Sequence, residues 1–359
     1  MTKLRAKLII VMDSAAQEIT ILIDRVTKAD LPVELRERVL TRLNQLTKLT
    51  NSPSFLTEFD SIEKYIDWVT VLPWNKRTQD TLDLENAKKI LEVHHFGLED
   101  IKTRVLEYMS VMKLKQERGE SKDIYRAPIL CFVGLVGTGK TTIAYSIAEA
   151  LGRPIARIPF GGMGDPLDLR GQSRMHAEAE PGKIIKALRD TQSKNPVILL
   201  DEIDRVTEQG RSSIMGVLVE LLDPKQNYAF VDHYIDFPFD LSEALFIATA
   251  NNTTNIATAV MDRLEPISMP SYSDAEKITI GQKYILPSAM KASGLPDGSL
   301  KISDDVWANI VRPLGYDAGI RTLERNIDGV VRKVARIIVE GKAKEVTVSS
   351  ENIKTFLPQ

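Results

Sequence analysis

The chain has 359 residues, 43% hydrophobic and 27% charged, with 47 Lys and Arg against 49 Asp and Glu and a net charge of −2. That is room for two or three domains with real cores, and near-neutrality argues against a dedicated nucleic-acid or anionic-membrane binder. A single cysteine excludes an internal disulfide and a cysteine-based zinc site, and no uncharged apolar run reaches the roughly 18–20 residues needed to span a bilayer.

The N-terminal stretch is not a secretory signal, because Asp13 and Glu18 interrupt its short apolar patch, and the chain reads as cytoplasmic. Apolar residues Leu4, Leu8, Val11, Met12, Ala15, Ile19, Leu22, Ile23 and Val26 form a helical stripe. Leu35, Val39, Leu43, Leu46 and Leu49 repeat it after Leu31-Pro32, where proline suits a first helical turn. Asn51-Ser52-Pro53-Ser54 then punctuates the chain. Residues 61–115 continue as helix, interrupted at Leu72-Pro73-Trp74 and at His94-His95-Phe96-Gly97.

From Tyr125 the pattern changes. Apolar runs at 128–133, 155–158, 197–200 and 245–250 read as buried strands alternating with helices, which predicts an α/β domain with a mainly parallel sheet. After Pro270, helices are expected over 274–291, 304–311 and 319–340, then a short strand at 346–348. The expected units are a helical segment over 1–60, a large α/β domain with a leading helical linker over 61–271, and a small helical domain over 272–359.

The chemistry begins at Gly134-Leu135-Val136-Gly137-Thr138-Gly139-Lys140-Thr141, followed by Thr142. This run matches the phosphate-loop pattern, and it follows an apolar strand and opens a helix. Glycines let successive backbone N–H groups curl around phosphate oxygens, and the helix N-terminus adds favourable partial charge. Lys140 would reach the β- and γ-phosphates of ATP, and the Thr141 hydroxyl would ligate Mg²⁺. Farther on, Val197-Ile-Leu-Leu delivers Asp201 and Glu202 at the carboxyl end of a strand, where open α/β sheets bind ligands. Asp201 suits the metal shell, and Glu202 the orientation of an attacking water. The strand at 245–250 ends in Asn251, a neutral polar group suited to the same water or the γ-phosphate. Cys131 and the three tryptophans, Trp68, Trp74 and Trp307, suit packing, and the histidines lack metal-ligand spacing. Gln116–Asp123 reads as a charged connector, with Ile124-Tyr125 placed to touch an adenine.

These residues resemble the AAA+ ATPases, and further motifs narrow the likeness. Leu72-Pro-Trp74, Gly182-Lys-Ile-Ile, Leu222-Asp-Pro-Lys-Gln-Asn227, Asp232-His-Tyr-Ile, Pro238-Phe-Asp-Leu-Ser242, Met261-Asp-Arg-Leu-Glu265 and Ala318-Gly-Ile-Arg-Thr-Leu-Glu-Arg325 resemble the ATPase module of Lon-type ATP-dependent proteases. The resemblance covers about residues 65–359, and more loosely the helical start. It implies a P-loop AAA+ core of parallel sheet flanked by helices, with a helical segment before it and a small helical lid after it. It assigns Asn251 to the sensor-1 position, Arg321 to sensor 2, and Arg263 to an arginine finger reaching a neighbouring subunit. A finger supplied in trans implies a ring, here a homohexamer. The implied function is unfolding and translocation of unfolded or damaged proteins for a Ser-Lys peptidase domain, as part of protein quality control.

Three departures stand out. Leu135 and Val136 replace two prolines usual in Lon phosphate loops, which predicts a floppier loop with its backbone donors intact. His176 and Ala177 occupy the position of an aromatic–aliphatic pair that grips substrate in the central pore, beside Glu178 and Glu180. An aromatic ring contributes about 150–250 Å² of contact, so a weaker grip is expected, and acidic loops would favour basic or neutral clients. Last, no segment carries a Ser-Lys dyad in a domain of its own, and the sequence stops at Phe356-Leu-Pro-Gln359. Two questions stay open: whether the chain is a piece of a longer protease or a freestanding ATPase, and whether it is a client-threading motor or a nucleotide-dependent scaffold or regulatory oligomer that threads no client.

Overall fold

The computed structural model describes residues 17–49, 52–119, 129–176, 178–312 and 319–357. The apolar positions from Leu4 to Ala15, the Ile124-Tyr125 contact and Ala177 therefore lie outside the described residues. Helix α1 (residues 17–28), α2 (Val33–Thr47) and α3 (Phe55–Val71) follow the apolar stripes. Leu35, Val39, Leu43 and Leu46 of α2 are buried, while Leu49, past its end, is exposed. The division expected at residue 60 falls inside α3, because the chain breaks at the turn before Phe55 rather than after it.

Five parallel strands form the central sheet: β1 (Ile129–Val133), β2 (Ile155–Pro159), β3 (Val197–Asp201), β6 (Leu245–Ala250) and β7 (Leu264–Ser268), in the order β2-β3-β6-β1-β7. Alternate residues of each strand serve opposite faces, so a strand covered on both sides needs apolar residues throughout. Cys131, Ile198, Leu200, Phe246 and Ala248 share a core with the helices of residues 17–71. Leu130, Phe132, Val197, Leu199 and Ile247 join α4 (Leu84–His94), α5 (Glu99–Glu117) and α6 (Lys140–Leu151) on the other face. Arg153, with a fully buried side chain, clamps the linker before α4 by donating to Asp80 at 2.7 Å.

Four further features differ from the sequence expectation. β2 is an edge strand rather than a buried one, with Arg157 and Pro159 exposed. β7 was not expected: Pro266 and the short Leu-Glu-Pro-Ile-Ser run hide it, and only its pairing with β1 makes it a strand. A two-strand ribbon, β4 (Phe230–Val231) with β5 (Pro238–Phe239), was not expected either. The predicted helix over 274–291 divides into α11 (Asp274–Ile280) and α12 (Leu286–Ala292) around one wide π-type turn, Gly281–Ile285, ahead of Pro287.

The remaining small helices include α7 (Leu167–Arg170), α8 (Lys183–Thr191), α9 (Arg211–Leu221) and α10 (Thr258–Met261). The C-terminal unit adds α13 (Trp307–Val311), α14 (Arg321–Val339) and α15 (Ile353–Phe356). Its core gathers on Trp307, and a parallel pair of strands, β8 (Leu300–Ile302) and β9 (Val346–Val348), closes one side. Among the described residues no helix is long and apolar enough to cross a membrane.

Where α4 meets α6, His95 is buried with its Nε2 2.9 Å from the Ser146 hydroxyl. Burial first, then the neighbouring His94 and Lys102, pushes its pKa down to about 4. A base whose folded pKa is depressed costs stability as pH falls below its unfolded value of about 6.5, because only the unfolded chain then takes the proton. Stability should therefore drop by about 2 kcal/mol between pH 6.5 and pH 5, at about 1.4 kcal/mol per pH unit. Denaturant melts of wild type and His95→Gln across that range check this; the variant should lose that part of the slope.

Candidate active site

The phosphate-loop residues join the C-terminal end of β1 to the first turn of α6. Gly137 and Gly139 have φ of 81° and 94°, a left-handed backbone that glycine adopts without the Cβ penalty. Thr138 is fully buried; its hydroxyl donates to the Leu135 carbonyl at 2.9 Å, and the Tyr272 hydroxyl donates to its carbonyl at 3.3 Å. Leu135 and Val136, at the prolines' positions, are half-exposed. Thr142 turns its hydroxyl back to the Gly139 carbonyl at 2.8 Å.

Lys140 is the focus. Its Nζ donates to the Gly134 carbonyl at 2.7 Å, the Leu135 carbonyl at 2.8 Å and Asn251 Oδ1 at 3.1 Å. Burial lowers its pKa, and the carboxylates of Glu202, Asp204 and Asp201 oppose that loss of charge. An ammonium kept dry yet surrounded by acceptors is poised for an anion. Across the cleft the Thr141 hydroxyl donates to Asp201 Oδ1 at 3.3 Å. Hydroxyl and carboxylate oxygens are hard donors, and this pair fits Mg²⁺, which prefers one or two protein oxygens plus phosphate and water.

Glu202 follows Asp201 in a left-handed conformation, φ 59° and ψ 48°, uncommon for a residue with a side chain. Such a conformation costs about 1–3 kcal/mol and persists only where its surroundings hold it. Here the Glu202 amide donates to the Thr249 hydroxyl at 2.9 Å, and that hydroxyl donates in turn to Asp201. Asn251 is placed by Asp204, which is buried and accepts the Asn251 amide at 3.1 Å and the Asn252 amide at 3.4 Å. The Asn251 Nδ2 is buried with no hydrogen-bond partner among the described residues. An orphaned donor there fits a phosphate oxygen or a bound water.

The small C-terminal unit closes on this loop. The Ile320 amide donates to the Gly137 carbonyl at 3.0 Å, and a Cβ added at Gly319 would lie 2.3 Å from the Val136 carbonyl. Only glycine permits that approach, which carries Arg321, the first residue of α14, to within electrostatic reach of Lys140.

Two expected site residues lie elsewhere. Arg263 precedes β7, and its carbonyl accepts the Ile129 amide at the start of β1, the end of the sheet opposite the phosphate loop. Its guanidinium donates to Asp223 at 2.9 Å and to the Ala259 carbonyl at 2.6 Å, so its ion pair is not with Asp262 or Glu265. Asp223 is held down at about 2, by the Lys225 amide first and then by Arg263. His176 sits in a loop whose stem is pinned by Asp232: this buried carboxylate accepts the Gly182 amide at 2.7 Å and the Tyr234 amide at 2.8 Å. Beside His176, Met175 is 94% exposed, and the Arg174 guanidinium stacks on Tyr65 of α3, 3.9 Å from the ring centre.

Sequence reasoning missed Thr249, Asp204 and Arg157 as members of the site. Thr249 stands in the Ala-Thr-Ala-Asn run and Asp204 in the Asp-Glu-Ile-Asp run, so local signals existed. Arg157 pairs with Asp201 across strands, and no local pattern announces that.

Two family models match the chain and together cover more than half of it: the ATPase family associated with various cellular activities (AAA) over residues 130–271, and the Lon protease AAA+ ATPase lid domain over residues 291–347. Among curated relatives, Lon protease 2 of Thermus thermophilus is 44% identical over 333 residues, 91% of this chain and 41% of the relative. Lon protease of Lawsonia intracellularis is 43% identical over 343 residues, 96% of this chain and 40% of the relative. Lon protease 1 of Bacillus subtilis is 40% identical over 340 residues, 95% and 43% respectively. The chain thus spans about two fifths of the length of these relatives. Phosphate loop, sheet order, lid and both matches agree: this chain belongs to the AAA+ ATPases and carries a nucleotide-binding ATPase module of the Lon type.

Proposed function

We propose that the module hydrolyses Mg·ATP held between residues 134–142 and Asp201, within a homohexameric ring. The observation that supports this best is Lys140, dry and bridging the loop carbonyls to Asn251, with Thr141 facing Asp201. Lys140 would exchange its carbonyl contacts for the β- and γ-phosphate oxygens. Asn251 would direct its unpaired Nδ2 at the attacking water or the γ-phosphate. Glu202 would accept a proton from that water and orient it. Arg321 would sense the γ-phosphate from the lid of the same chain. Bound between Thr141 and Asp201, Mg²⁺ would supply charge neutralisation at the transferring phosphoryl group.

Arg263 calls for a second copy. Its place just before β7 puts it five residues, or about 16 Å at about 3.3 Å per residue, from the phosphate-loop end of the sheet that carries Lys140. That distance is too long for its own chain's nucleotide, which supports a role toward a neighbour's. In this reading a helical N-terminal segment leads into the large domain, which ends at residue 271, and 272–359 form the lid. The turnover cycle unfolds and translocates unfolded or damaged protein in the cytoplasm, for a peptidase domain of the Lon type.

The test is phosphate release by the assembled ring with and without an unfolded client protein. Several-fold stimulation by client supports threading. A second reading, a nucleotide-dependent scaffold, is favoured by the loop at His176, which carries no Phe, Tyr or Trp. Rings that form with ATP, bind no client and show no stimulation would favour the scaffold and overturn threading.

A further inference from the structure

Arg157 lies on the sheet's free edge yet reaches the site. Its Nε and Nη2 stand 2.7 and 2.6 Å from Asp201 Oδ2, while Asp201 Oδ1 accepts the Thr249 and Thr141 hydroxyls. Both carboxylate oxygens are thus taken by the protein itself. The exposures are unequal: the Asp201 side chain is 3% exposed and that of Arg157 49%. A buried carboxylate is stabilised by a nearby cation, and here the cation's half-exposed side chain already borders water. On its outer side Arg157 borders a cavity of about 500 Å³ between β2 and α8, lined also by Lys183, Lys186 and Asp190, which gives the displaced guanidinium room.

We infer that Arg157 is a positioning residue that acts as an internal counter-cation for Asp201, and that the site gains a divalent metal only as Arg157 leaves Oδ2. The inference rests on the assignment of Asp201 to the metal shell made above. Arg157 thereby sets how much metal the module needs to hold nucleotide, and it keeps Asp201 aimed across the cleft in the metal-free state. Charge-assisted contacts of this kind are strong enough for their loss to shift a competing equilibrium about tenfold.

The experiment follows binding of a fluorescent ADP to the full chain while Mn²⁺ is titrated, in wild type, Arg157→Gln and Arg157→Lys. The Mn²⁺ midpoint should fall about tenfold in Arg157→Gln and by less in Arg157→Lys, which keeps charge but not the forked contact. The shift should vanish in an Asp201→Asn background. A midpoint that stays put or rises in Arg157→Gln, with wild type still binding Mn·ADP, overturns the inference alone. Failure of every form to bind ADP instead removes the assignment on which it rests.

Discussion

Replacing Glu202 by Gln lowers steady-state ATP hydrolysis by about 10²–10⁴ while leaving nucleotide affinity within a few-fold of the parent. An amide of the same shape fills the same space but cannot take the proton of an attacking water, and general-base contributions are of that size. The substitution is selective because Glu202 is held by its backbone: its amide bonds to Thr249 and its left-handed turn is set by the end of β3. The side chain changes chemistry without moving the carboxylate of Asp201. Phosphate release and fluorescent-nucleotide binding measured side by side check this. Equal turnover in variant and parent would remove Glu202 from the chemistry.

Arg263→Ala should be as severe, cutting turnover by about 10³-fold or more with ATP affinity nearly intact, the size seen when a transition-state guanidinium is removed. Its place at the start of β7, opposite the phosphate loop, allows a sharper form of the test. A ring mixed from Arg263→Ala and Glu202→Gln subunits contains some interfaces where an intact Glu202 faces an intact Arg263. Two inactive variants should therefore regain part of the activity when mixed. Absence of any recovery in mixed rings of verified composition would place Arg263 in a local role, tied to Asp223.

Much of the fold was legible because the strands are buried on both faces. Ile-Leu-Cys-Phe-Val and Val-Ile-Leu-Leu must be apolar throughout, and such runs stand out from their polar surroundings. β7 escaped for the opposite reason: it carries Glu265 and Pro266 and takes its identity from β1. The same contrast divides the site. Residues on one turn or strand end, such as Lys140 with Thr141 or Asp201 with Glu202, are readable from spacing, since local backbone chemistry fixes them. Partners joined across strands are not: Arg157 reaches Asp201 over 44 positions and Thr249 over 48. Nor does sequence reveal that Lys140 folds back onto its own loop carbonyls. That arrangement is a property of a charge seeking acceptors in a dry cleft.

The most direct measurement is calorimetric titration of the purified protein with Mg·ATP, compared with Lys140→Ala. Saturable binding in the parent, lost or weakened at least a hundredfold in the variant, is the expected outcome. Parent protein that takes up no nucleotide, or a variant that binds as tightly as the parent, would contradict the placement of the triphosphate between the β1–α6 loop and Asp201.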